Sequence, residues 1–256
     1  MKQFSLNRFG KLARWSLTMD RQFYRKQFLQ LLVMAVLMVM MFTVYMGDSH
    51  PNGHGYDMCA FVVIVGLIGF TVLGPTYMFY SMSGKHDRQT LMLLPASNLE
   101  KYVMRYVQGL LLLPLAVIAF LIADGLQYMV NLLMGHEWVH TIAGYLVDSD
   151  NTTVFGPNPR HTLLAISMLL LWIHSIYAVG ATFFRSHKHN WVLTSVVLIA
   201  GSVLLHGLYG WVNVNCLWWN NVGVFNVLFL CLAVFNFWLS FRLFCRQQVI
   251  GKFVNL

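Results

Sequence analysis

The sequence predicts an all-α membrane protein with six transmembrane helices. Three observations carry this. Hydrophobic residues make up 58% of the 256 positions, against 10% charged. The charges are bunched: no Asp, Glu, Lys or Arg falls between Lys26 and Asp48, Asp57 and Lys85, Arg160 and Arg185, or Lys188 and Arg242. From Tyr106 to His136 the only such residue is Asp124. A helix needs ~20 apolar residues to cross the hydrocarbon. The Lys188–Arg242 run is long enough for two crossings, with a turn near Gly207–Val222. The expected spans are about 27–46, 58–82, 103–130, 161–184, 191–208 and 223–243. The apolar runs are continuous rather than alternating, which argues against a β-barrel.

Ahead of the first span, residues 1–26 read as a cytoplasmic amphipathic interfacial helix. Phe9, Leu12, Trp15, Met19 and Phe23 share one face, and Lys11, Arg14, Arg21 and Arg25 the opposite one. Such a helix lies in the headgroup plane of membrane lipid. The first apolar run is too long for a cleaved signal core and reads as a retained anchor. The second span contains Gly74-Pro75 and the third Pro114. Both prolines remove a backbone donor and predict kinks.

Between spans 2 and 3 lies Ser83–Arg105, SGKHDRQTLMLLPASNLEKYVMR. Gly84 can end the preceding helix. Asp87 can cap a short helix over about Arg88–Leu94, and Pro95 stops it. Ser97 and Glu100 have the S-x-x-E spacing of a capping box opening the next long helix. Leu91, Met92, Leu93 and Leu94 form an apolar knob on this basic loop. A helix lying flat on lipid is the competing reading of the same pattern.

Asp124 is the one acidic residue inside a span. Intramembrane carboxylates are costly and face a polar interior or a proton path, so Asp124 is a pathway candidate as well as a packing one. His174 and His206 are possible partners. Beyond this span, His136-Glu137-Trp138-Val139-His140 matches H-E-x-x-H. On a helix, that spacing puts two imidazoles on one face for zinc with Glu as general base. No third ligand stands at a family spacing, so His136 and His140 are weak metal candidates. The outer segment also carries the sequon Asn151-Thr152-Thr153. The uncharged stretch Gly207–Gly223, with three tryptophans, reads either as an interfacial hairpin or as a tight loop. Cys59 and Cys216 can both lie near the outer face. A disulfide and two unpaired apolar cysteines stay open, the second being simpler. Residues 244–256 form a tail.

Orientation follows from the basic residues. With both termini cytoplasmic, 16 of the 17 Lys and Arg fall inside and only Arg160 outside. This is the positive-inside pattern. The net charge of +8 is thus a topology signal, and no basic folded domain points to nucleic acid. No phosphate-binding G-x-x-x-x-G-K-[ST] occurs. The chain therefore predicts no enzyme activity or cofactor of its own, and any ATP-driven work needs a second protein.

The layout resembles the ABC-2 type permeases, the membrane subunits of ATP-binding cassette exporters, and the string LMLLPASNLEKYVMR resembles the loop of the bacterial ABC-2-like group. The resemblance implies that Arg88, Leu91, Met92, Leu93 and Leu94 form a coupling helix docking on an ATPase subunit. It also implies a homo- or heterodimer of permease subunits in the bacterial cytoplasmic membrane. Two other functions remain open on the sequence: a non-transporting membrane scaffold or accessory subunit, and a membrane zinc metalloprotease using His136-Glu137-x-x-His140.

Overall fold

The structure, a computed structural model, describes residues 4–45, 54–82, 89–91, 93–136, 140–147, 159–184, 189–211 and 222–246. Its elements are α1 (Leu6–Met19), α2 (Arg21–Met40) running into a π turn (Met41–Tyr45), and α3 (His54–Leu73) running into a 3₁₀ helix (Gly74–Met82). Then follow α4 (Asn98–Leu110), α5 (Leu112–Leu133), α6 (Ile142–Val147), α7 (Pro159–Phe183), α8 (Asn190–Trp211) and α9 (Val222–Cys245). No strand occurs among the described residues.

Among the described residues, five stretches are long and apolar enough to cross a membrane: Arg21–Val44, Gly55–Phe79, Asn98–Leu133, Leu164–Phe183 and Gly223–Cys245. The remaining expected span, 191–208, falls on α8. The distribution of side chains is that of a protein solvated by lipid. Leu29, Met34, Ile199, Val203, Val227 and Val234 are exposed, while Glu100, Gln127, Asn131, Ser175, Thr182 and Ser240 are buried. In hydrocarbon, polar groups must be satisfied internally, and apolar ones have nothing to gain by hiding.

Several boundaries differ from expectation for identifiable reasons. The expected segment 1–26 holds parts of two helices. Helix α1 ends at Met19, and Arg21 already opens α2. Pro114 has no N–H to give the Leu110 carbonyl, and the third span is interrupted at Leu111, between α4 and α5. At Gly74-Pro75 the second span tightens to 3₁₀ geometry.

The chain divides into two compact units. The first comprises Met1–Thr18, Val72–Gly109 and Asn158–Leu256. Here α7 packs along α9 and against the 3₁₀ helix and α8. Ala178, Ala181, Thr182 and Ser240 have essentially no exposure. Small residues at such contacts let helix backbones approach closely. The Ser240 hydroxyl donates to the Ala178 carbonyl (3.0 Å) and accepts from Tyr102 (3.0 Å). Met78, Phe79, Leu91, Tyr102, Ala181 and Phe244 form its core.

The second unit comprises Met19–Thr71 and Leu110–Pro157. Helix α2 lies along α5, and α6 packs on α5. Val39, Cys59, Ala60, Val63, Phe120, Ala123 and Ile142 form its core.

Candidate functional site

In the first unit the polar focus is Glu100, which has no exposure. It sits in the first turn of α4. The Ser97 N–H donates to Glu100 Oε2 (2.8 Å), and the Glu100 N–H donates to Ser97 Oγ (3.2 Å). That reciprocal pair satisfies two donors that a helix start leaves open. The other carboxylate oxygen accepts from the Ser5 N–H (2.7 Å) and from Arg8 Nη2 (3.1 Å). One side chain thus closes the α4 cap and holds the start of α1. Two turns further on, Arg105 Nη1 donates to Gln108 Oε1 (2.8 Å), and Gln108 Nε2 donates to Ser16 Oγ (2.7 Å). Helix α1 is therefore tied to α4 at both ends, with Leu12 buried between.

In the segment before this cap, the described residues of the expected knob divide between core and surface. Arg88 and Met92 lie outside the described residues. Residues 89–91 and 93 are helical. Leu91 is 5% exposed and belongs to the core with Met78, Phe79 and Tyr102. Leu94 packs half-buried against the same core. Leu93 is 84% exposed. A short helix with one face on the core cannot display consecutive apolar residues on a single outer face, since neighbours point about 100° apart. Of the described members, Leu91 and Leu94 are the foundation and Leu93 is the tip.

In the second unit the focus is Asp124, 3% exposed. One oxygen accepts from the Ile142 N–H (2.8 Å) and from Gln127 Nε2 (3.1 Å), the other from the Ala143 N–H (2.9 Å). Asp124 thus caps the start of α6 from a different helix, satisfying two orphan donors. Gln127 Nε2 also donates to the His140 carbonyl (2.9 Å), and Asn131 Nδ2 donates to Gln127 Oε1 (2.8 Å). The polar stripe Asp124, Gln127, Asn131 runs down one face of α5 and fastens the chain that returns beyond its end. Both oxygens of the pathway candidate are engaged in this clasp. His174, offered as its partner, instead meets the Tyr106 hydroxyl in the first unit. The side chain of His206 lies outside the described residues.

The H-E-x-x-H motif is not on a helix at its described ends. Helix α5 stops at Leu133, and Gly135 adopts φ +74°, the left-handed conformation that terminates helices. His136 and His140 follow as irregular backbone, while residues 137–139, Glu137 included, lie outside the described set. The His136 imidazole pairs with Asn131 Oδ1 (2.9 Å), and the His140 ring sits edge-on to Tyr56. Among the described residues, no three His, Cys, Asp or Glu converge as metal ligands. Nearby, the Tyr145 hydroxyl bonds to Asp57. Cys59 is a free thiol in the core. Cys216, the sequon at Asn151 and the tryptophans of 212–221 lie outside the described residues.

Sequence reasoning missed Ser5, Arg8, Ser16, Gln127 and Asn131. The last two were findable: with Asp124 they stand at i, i+3 and i+7 in an otherwise apolar helix, a polar stripe that has to be buried. Nothing local marks Ser5 or Arg8. No family model, curated protein or solved structure matches this chain.

Proposed function

We propose that the chain is the membrane-spanning permease subunit of an ABC-type exporter, driven by a separate ATP-binding cassette ATPase. In this reading it crosses the bacterial cytoplasmic membrane six times with both termini inside, pairs with a second permease subunit, and couples to the ATPase through the segment around Leu93. One observation carries the reading: an exposed apolar tip stands on a buried, hydrogen-bonded mount. Leu93 projects, Leu91 and Leu94 anchor the same turn in the core, and six residues after Leu94 the Glu100 carboxylate joins α4 to α1. Displacement of Leu93 by a partner would be passed through packed side chains to the 3₁₀ helix and through Glu100 to α1 and α4. Interfaces packed this way shift between discrete arrangements rather than deform gradually.

A photo-crosslinking amino acid placed at Leu93 in native membranes tests this. The expected product is an adduct to a soluble nucleotide-binding protein whose yield changes when ATP is replaced by a hydrolysis-blocked state. Adducts to lipid alone would mean that the segment lies on the membrane. Adducts to a protein with no nucleotide site would favour the scaffold reading.

A further inference from the structure

We propose that the first turns of α2 form a binding site for one anionic glycerophospholipid, with its headgroup on Arg25 and Lys26 and an acyl chain along the helix below. An open cavity of ≈ 490 Å³ is lined by Gln22, Arg25, Lys26, Phe28 and Leu29. Gln22, Arg25 and Lys26 are exposed, and Phe28 is half-buried as a side wall. Beyond Leu29, the exposed residues Val33 and Leu37 continue the same face, each one turn further on. At about 100° per residue, Gln22, Arg25, Lys26, Leu29, Val33 and Leu37 all fall within roughly a third of the helix circumference.

The dimensions fit one lipid in one leaflet. From Arg25 to Leu37 is about 18 Å of helix, against ~15 Å for half of the hydrocarbon core. The two cations stand where the uncharged run of α2 begins, which is the depth of phosphate groups. A guanidinium and an ammonium side by side complement a phosphodiester that carries no compensating cation of its own. A zwitterionic lipid brings a choline or ethanolamine that would have to lie against Arg25 or Lys26. The proposal uses no residue of the Leu93 segment, so it stands whether or not the permease reading does.

The test is native mass spectrometry of the full chain in detergent. Dioleoyl phosphatidylglycerol and dioleoyl phosphatidylcholine are added at equal concentration, and sn-glycerol 1-phosphate serves as a free headgroup. The wild type should retain phosphatidylglycerol in preference to phosphatidylcholine and ignore glycerol phosphate. Arg25→Gln should weaken that retention about fivefold and Arg25→Gln/Lys26→Gln roughly 25-fold, the scale expected per basic residue at an anionic surface. Lys11→Gln/Arg14→Gln, the same charge loss on the exposed face of α1, should leave it unchanged. Equal retention of both lipids, an unaffected double variant, or an equal drop in the α1 control would overturn the proposal. Competition by glycerol phosphate would make this a free-phosphate site. A dimer turning monomeric in the double variant with unchanged lipid retention would assign the face to a second copy of the chain.

Discussion

Replacing Asp124 by alanine should release α6 from α5, and the size of the effect follows from the hydrogen bonds lost. The substitution strands the Ile142 and Ala143 N–H groups, and Ile142 has no exposure to water. A buried donor left without its acceptor costs about 1–3 kcal/mol, so the clasp should lose roughly 2–6 kcal/mol. Even the lower figure raises the local opening equilibrium about thirtyfold. Asp124→Asn should fall between, because the amide keeps one acceptor oxygen but turns a donor toward the second N–H. The assay is hydrogen exchange on the purified full chain, followed on peptides covering residues 140–147. Exchange there should accelerate in the order wild type, Asn, Ala, while peptides of α7 and α9 keep their rates. Unchanged protection of Ile142 and Ala143 in Asp124→Ala would refute the reasoning.

Two other substitutions probe the first unit. Glu100→Ala removes the acceptor for Ser5, Arg8 and Ser97 together, and should lower the melting temperature by roughly 3–5 °C while exposing Arg8, Lys11 and Arg14 to trypsin. Glu100→Gln can still close a capping box and should retain more of the stability, so equal damage from both would discredit the cap. A Cβ on Gly109 would lie 2.5 Å from the Gly74 carbonyl oxygen, so Gly109→Ala should destabilise by about 1–3 kcal/mol through overpacking. Gly125, with nothing within 4 Å of its would-be Cβ, supplies the control. Gly125→Ala should be neutral or stabilising by up to ~1 kcal/mol, as thermal unfolding in detergent can measure.

The long apolar helices were legible because hydropathy acts locally: each run had to be helical to satisfy its own backbone in lipid. The hydrogen bonds between Ser97 and Glu100 are also local chemistry, three residues apart. What the sequence withheld was set by distance along the chain. Ser5 and Arg8 reach Glu100 across more than ninety residues, and no periodicity announces that contact. The facing of the 89–94 turn depended on Met78, Phe79 and Tyr102 being there to receive Leu91. Of the H-E-x-x-H spacing, the two described histidines stand on irregular backbone, because Gly135 ends the preceding helix just before His136. Pro114 foretold a disturbance, but the interruption appeared three residues earlier, near the carbonyl that the missing N–H leaves unserved.

The 3₁₀ helix after Gly74 has a consequence for reach. Nine residues at about 2.0 Å each cover ~18 Å, where α geometry would cover ~13.5 Å. The second span thus gains the depth of three extra helical residues without adding any. Its threefold repeat also stacks Pro75 under Met78 and Thr76 under Phe79, all four of them buried. Winding the segment to α would shorten it by about 4.5 Å and turn its far end by roughly half a revolution. Met78 and Phe79 would then leave the neighbours they now touch. The tight winding therefore works as a ruler and a protractor at once, setting how far the span extends and which way its last side chains look.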